Sequence, residues 1–272
     1  MPTFETPGSV LLHIALGAGE VSIETGDARE VVVEVVPLGD DAATREAAAQ
    51  TRIELVERGG RHEVIVEAPK RRGLLIGRDA RLGVRARCPH GSDLELSAAS
   101  ADLDVRGRLG AVFAKTASGN LGLGDVDGLL DVKTASGDIR AGSVAGAVSL
   151  STASGDAALR MVRGDLGASL VSGDLDVADA LGGIAVNTVS GDIRIDSAGG
   201  GAVRLQTVSG DVELGVRAGL RLLIDATSLS GTMTSDLEVT DGPPADDSPV
   251  VEIRARTVSG DVRIRRAVEA GV

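Results

Sequence analysis

The sequence predicts an all-β fold: a single-stranded β-solenoid (β-helix) with coils of about 18 residues, preceded by an N-terminal β-rich cap with one short helix. The first observation behind this is a repeat. Ser118, Ser136, Ser154, Ser172 and Ser190 each open an S-G-D or S-G-N triplet and lie 18 residues apart. A degenerate copy stands at Ser100, and later copies at Ser209, Ser230 and Ser259 follow intervals of 19, 21 and 29 residues. Fixed self-similarity of this kind belongs to stacked repeats in which each unit contacts its neighbours. The second observation is alternation. In "SGDLDVADALGGIAVNTV" (Ser172 to Val189), Leu175 and Val177 alternate with Asp174 and Asp176, and after a Gly-containing turn Ile184, Val186 and Thr188 alternate with Ala185 and Asn187. Two short period-two runs per repeat are two strands with one face inward. The third is apolar content of 43% built almost wholly from Val, Leu, Ile and Ala, with two Phe and no Tyr or Trp.

Taken along the chain, residues 1–95 read as N-terminal strands and a short helix that cap the solenoid. "EVSIETGDAREVVVEVVP" (Glu20 to Pro37) reads as a further coil or a hairpin, with Val21, Ile23, Val31, Val33 and Val35 inward. "DDAATREAAAQ" (Asp40 to Gln50) has helix-forming Ala, Arg and Glu behind acidic residues that suit a helix N-terminus. Strand-like runs follow at Arg52–Glu57, His62–Glu67 and Leu82–Arg87. An open solenoid end exposes unpaired edges and core, which is why this region is assigned a capping role. Residues 96–266 form the repeats, interrupted at 235–250 by an acidic, Pro-rich insertion expected to project as a mobile loop; residues 267–272 are a C-terminal tail. The last coil, Val262 to Ile264, is then followed only by "RRAVEAGV", a thin cover that makes end-to-end pairing of solenoids a live alternative.

Charge and cysteine content remove several function classes. A net charge of -12 opposes general attraction to nucleic acid or anionic membrane. The basic run Lys70 to Arg87 is the local exception, and it reads as a solvated loop and strand face rather than a binding patch. Cys88 is the single cysteine, so no intrachain disulfide or thiolate cluster forms. The apolar run Val10 to Leu16 is broken by His13 and too short to span a bilayer, so neither signal peptide nor membrane insertion is expected and the expected compartment is the cytoplasm.

The units "TASGNLGLGDVDGLLDVKTASGDIRAGSVAGAVSLSTASGDA", the "PHGSDLEL" stretch at Pro89 to Leu96 and the recurring T-x-S-G-D resemble the bacterial "putative adhesin" β-strand-repeat family, a domain of unknown function, from about Val10 to Arg265. The resemblance implies a β-solenoid without established catalysis, often in proteins tied to the cell envelope.

The repeated motif reads mainly as a turn. Gly119, Gly137, Gly155, Gly173, Gly191, Gly210, Gly231 and Gly260 supply the backbone freedom of a tight corner, while the flanking Ser and Asp can bond corner amides. Asp138, Asp156, Asp174, Asp192, Asp211 and Asp261 share one offset and should form an outward ladder, with Asn120 and Thr232 in the same column and Arg140, Arg194 and Arg263 placed two residues on to neutralise it. Carboxylates about 5 Å apart in water repel by about 0.8 kcal/mol per pair, which a calcium ion could relieve. The chain lacks the G-G-x-G-x-D pattern of calcium-binding coils, so turn capping is the preferred reading and no metal is assigned.

Catalytic signals are weak. "GLGDVDG" (Gly122 to Gly128) lies between strands with no helix to serve a dinucleotide. His13, His62 and His90 have no metal spacing, and no Ser, His and acid trio is discernible. A carbohydrate-active β-helix enzyme is disfavoured by the near absence of aromatic platforms. The expectation is a non-enzyme without cofactor: a structural or interaction module for an unidentified protein partner, or a self-assembling scaffold.

Overall fold

The computed structural model describes residues 2–69, 80–237 and 250–267, and the chain divides into two compact units, Met1–Gly142 and Ser143–Val272. Both are built of parallel coils, as the repeat predicts.

The first unit opens with strands β1 (Thr3–Glu5), β2 (Leu11–Gly26), β3 (Glu30–Pro37), β4 (Arg52–Arg58), β5 (Arg61–Glu67), β6 (Arg81–Pro89) and β7 (Asp93–Arg106), with helix α1 (Ala42–Gln50) between β3 and β4. β2 and β7 run parallel over a full coil, from Leu11 opposite Asp93 to Glu24 opposite Arg106. The other edge of β2 is covered in two pieces, first by β5 and then by β6, both parallel to it. Beyond these the direction reverses. β4 is antiparallel to β5, β3 to β6 and β1 to β3. Glu20–Pro37 is therefore neither a coil nor a hairpin, because β6 is inserted between β2 and β3. The antiparallel strands consume the edge that another parallel coil would need. α1 begins where Asp41 accepts hydrogen bonds from the Thr44 amide and hydroxyl at 2.8 and 2.6 Å, which satisfies a free N–H of the first turn and holds the Asp41 carboxyl below its usual range.

In the second unit each coil contributes two strands that stack in register on the coils before and after. Val148–Ser154 pairs with Leu166–Ser172, then Ile184–Asn187, then Val203–Gln206. The companion series is Ala157–Val162, Leu175–Ala180, Ile193–Ala198 and Val212–Val216. Inward residues are sealed: Ile184, Val186, Ile193, Ile195 and Ala198 are at most 2% exposed, and their equivalents in adjacent coils match them. Each such Ile or Leu contributes roughly 1.5–3 kcal/mol by leaving water.

The order of the last two coils departs from the sequence. Val250–Ser259 pairs with Val203–Gln206 on one side and with Arg221–Ser230 on the other, and Val262–Arg266 lies likewise between Val212–Val216 and Met233–Ser235. The C-terminal coil is thus slotted inside the stack, and Arg221–Ser235 is the outermost coil of this unit. The expectation of an end formed by Val262–Ile264 under a thin tail is wrong: Val262 and Ile264 are 1% and 2% exposed, covered by a coil that precedes them in the chain.

Candidate functional site

Within each unit, adding coils one by one stacks every position of the repeat into a column, and the T-x-S-G-D corner produces four adjacent ones. The Thr column faces inward: Thr116, Thr134, Thr152, Thr188, Thr207 and Thr257 are all buried. Thr116 and Thr134 donate to the Ser118 and Ser136 carbonyls at 2.8 and 3.1 Å, whereas the hydroxyls of Thr152 and Thr188 reach no partner among the described residues.

The Gly column makes the turn. Gly173 and Gly191 have φ of 138° and 146°, in the region that suits glycine. The stack adds a second demand, since a Cβ on Gly191 would stand 2.7 Å from the carbonyl carbon of Gly173 in the coil below. The same holds along the column, where Gly119, Gly137, Gly155, Gly210, Gly231 and Gly260 also carry positive φ.

The Asp column staples coils together. Asp156 Oδ1 accepts the amide of Asp174 at 2.9 Å, Asp174 that of Asp192 at 2.8 Å, Asp192 that of Asp211 at 2.8 Å, Asp211 that of Asp261 at 2.7 Å, and Asp261 that of Thr232 at 2.7 Å. In the first unit Asp102, Asn120 and Asp138 are linked in the same way, at 2.7 and 3.0 Å. A carboxylate that accepts a backbone N–H gains a charge-assisted bond that offsets repulsion along the column. The neutral Asn120 performs the same task. Asp93 and Asp165 repeat the device at another corner, accepting from Ala111 and Gly183 at 2.6 and 2.8 Å. Among the described residues no group of three or more His, Cys, Asp and Glu has an arrangement that could hold a metal ion.

The arginines expected to neutralise this ladder divide. Arg140 reaches Asp138 at 3.3 Å, but Arg194 turns to Asp196 at 3.0 Å and Glu213 at 3.6 Å, and Arg263 stands in register beside Glu213. Arg265 completes a network with Glu213 at 2.9 Å and Asp196 at 3.1 Å. Burial pushes the Asp176 carboxyl up, Asp174, Asp196 and Asp156 push the same way, and Arg194 pulls it down. Of the basic run, Lys70 to Asp79 lie outside the described residues, while Arg81, Arg85 and Arg87 face Glu20, Glu34 and Glu24 at 3.7, 3.5 and 3.3 Å. The described part of that run is a set of neutralised surface pairs. The insertion at 235–250 likewise falls largely, over 238–249, outside the described residues.

The fourth column is one the repeat motif does not advertise. The residue that follows the Thr position points out: Val189, Val208 and Val258 after a Thr, and Val171 after Leu170, are 47–52% exposed, and Leu229, after Ser228 in the outermost coil, is 80% exposed. Rungs lie roughly 4.8 Å apart, so these five form an apolar stripe about 19 Å long beside the Asp column. The parity of the motif carried the signal, since a residue next to a buried Thr in a strand must face the other way. Earlier coils hold Ala117, Ala135 and Ala153 there.

Other chemistry is sparse. Cys88 is buried, which pushes its thiol up to about 11 against a Ser92 hydrogen bond acting in the opposite direction, the reverse of an activated nucleophile. His13 and His90 stand apart, one beside Glu95 at 3.4 Å and one against the Thr25 hydroxyl at 2.8 Å. A cavity of about 820 Å³ beside α1 is walled largely by Ala15, Ala43, Ala47 and Ala98, and its Asp41 is committed to the helix cap. Among the described residues no helix is long and apolar enough to cross a membrane.

Among curated proteins, no sequence matches this chain. Among solved structures, a "putative adhesin" from Parabacteroides distasonis is similar in fold, with 12% identity, a TM-score of 0.50, and 97% of this chain and 95% of that one covered. A "putative adhesin" from Bacteroides fragilis matches at 12% identity and a TM-score of 0.34, over 97% of this chain and 95% of its own. The model of the Toastrack DUF4097 family matches residues 12–265. That span takes in the antiparallel strands β3 and β4 and the coils of both units, and the chain belongs to the Toastrack family.

Proposed function

We propose that this adhesin-like solenoid is a non-catalytic module that binds a protein partner along its stacked corner, with the apolar stripe of Val171, Val189, Val208 and Val258 as the contact and the neighbouring Asp column setting the charge it accepts. The observation that carries this is the exposure of four stacked β-branched side chains, each about half open to water and aligned at one position of successive coils. The corner aspartates supply fixed negative charge at regular intervals, which favours a partner with an apolar ridge flanked by Lys or Arg. Catalysis finds less support, because the aligned carboxylates accept backbone N–H groups of the next coil rather than converging on a cleft.

The test is affinity capture on immobilised wild-type chain and on Val189→Asp with Val208→Asp, with melting temperatures compared first. Proteins retained by the wild type and lost from an equally stable variant mark the stripe as the contact. An identical retained set from both baits overturns the reading.

A further inference from the structure

Among the described residues, the outermost coil of the second unit is an uncovered sheet edge with its core side showing. Arg221–Ser230 pairs with Val250–Ser259 on one side, and among the described residues nothing pairs with the other. Ile224 and Met233 sit in register with the buried Ile253 and Val262, yet are 38% and 51% exposed. On the outward face Leu223 and Leu229 are 60% and 80% exposed, the highest values among the large apolar residues described. The strand is ten residues long and holds only Arg221 and Asp225 as charges, with no Pro. Proteins that stay monomeric blunt such edges with short strands, charges or Pro. The first unit does so, ending in a three-residue β1 and in β4, "RIELVER".

We propose that this edge pairs with its own copy, the two Arg221–Ser230 strands meeting antiparallel about a two-fold axis at Ala226. In that register Leu223 of each copy faces Leu229 of the other, Ile224 faces Ser228 on the inner side, and Leu222 faces Ser230. Directly opposed residues of an antiparallel pair share a face, so outward leucines meet outward leucines. Charge agrees: Asp225 faces Thr227, a hydroxyl donor, and no like charges stand directly opposite. The two Asp225 carboxylates lie on the diagonal, roughly 7–8 Å apart, and each keeps Arg256 of its own copy at 3.4 Å. Leu223, Ile224, Leu229 and Met233 from both copies bring several hundred Å² of apolar surface to the contact. With the backbone edge added, this approaches the roughly 1,200 Å² of a specific interface. Because both copies use the same patch, the assembly closes as a dimer and does not extend into filaments. The dimer edge uses none of the four valines proposed as the contact for a partner; it adjoins them at Leu229, the last residue of the stripe.

Sedimentation velocity of the full chain over a concentration series reads the dimer directly. Leu223→Lys is tolerated by a side chain already open to water, and it removes two leucine contacts per dimer. The dissociation constant should rise more than about a hundredfold with the melting temperature of the monomer unchanged. Ala226→Cys, placed on the axis, should give a disulfide-linked dimer under mild oxidation, and exposed Ala185→Cys should not; the native Cys88 is buried and stays out of the reaction. A chain that is monomeric at every concentration overturns the proposal. So does a dimer that survives Leu223→Lys or fails to cross-link through residue 226.

Discussion

Replacing Gly191 by Ala separates two reasons for glycine in the corner. Its φ of 146° strains any residue with a Cβ, at about 1–3 kcal/mol. The stack adds the clash with Gly173, whose carbonyl carbon would lie 2.7 Å from the new methyl, and overpacking of this kind costs about 1–3 kcal/mol. The sum is roughly 2–6 kcal/mol, a large share of a domain's stability. Two other glycines of the same unit isolate the parts. Gly219 has φ of 80° and no atom within 4 Å of where a methyl group would sit, so Gly219→Ala carries only the conformational cost, about 1 kcal/mol. Gly182 has no positive φ, but its Cβ would lie 2.6 Å from the Gly164 carbonyl carbon and 2.9 Å from the Asp165 nitrogen, so Gly182→Ala carries only the clash. Urea unfolding with an unchanged m-value gives the three differences directly. If Gly191→Ala costs no more than Gly219→Ala, the close approach of successive coils is not what demands glycine at this corner.

Further expectations concern the remaining columns. Asp192→Ala should destabilise by about 1–2 kcal/mol by stripping the Asp211 amide of its acceptor, while Asp192→Asn should be nearly neutral, as Asn120 already fills that role; chemical denaturation distinguishes them. Since these carboxylates bond backbone rather than a cation, calcium and chelator should give superimposable melting curves. Thr188→Val should stabilise by about 1 kcal/mol by removing a buried, unpartnered hydroxyl, whereas Thr116→Val, which breaks a bond to Ser118, should not; differential scanning calorimetry reads both. The Asp176 carboxyl is raised in the folded chain, so the fold binds its proton more readily than the unfolded chain does. Its contribution to stability therefore falls as pH rises from the ordinary carboxylate range through the raised value. Asp176→Asn should flatten that part of the stability-against-pH profile, and an unaltered profile would contradict the assignment.

The coil was legible because an 18-residue spacing can only place like residues in register, as with Ser154 opposite Ser172. The inward set followed from period-two alternation, and Leu175, Ile184 and Val186 are where it puts them. Spatial order was not legible, because an interval of 29 residues fits an inserted loop and an exchanged coil equally well. The composition held a clue. "SLSGT" at Ser228–Thr232 has lost both the Thr and the Asp, whereas an interior coil loses at most one of them, as at Leu170 or Asn120, and "TVSGD" at Thr257–Asp261 is intact, as befits a coil with neighbours on both sides. The stapling bonds were only half legible: the spacing aligned the aspartates, but the rotamer that turns each Oδ1 to the next amide depends on coil separation, which no single coil encodes. The antiparallel pairings of β3 and β4 were hidden for a related reason, since β5 and β6 look like ordinary strands whose partner choice is settled by distant chain.

The slotting of the C-terminal coil has a consequence for how the chain comes to be folded. Every earlier coil of the second unit can add to a template as soon as it is synthesised, with its partner 18 or 19 residues behind. Arg221–Ser235 cannot, because its own template is Val250–Arg266, which emerges after it. Growth by simple addition stops at Val216, and the final two coils must dock together, closing a loop of 50 residues between Asp211 and Asp261. A ribosome-bound chain lacking its last 25 or so residues would hold a finished stack and one idle coil. Completion of the fold is thereby made conditional on synthesis of Val250–Arg266.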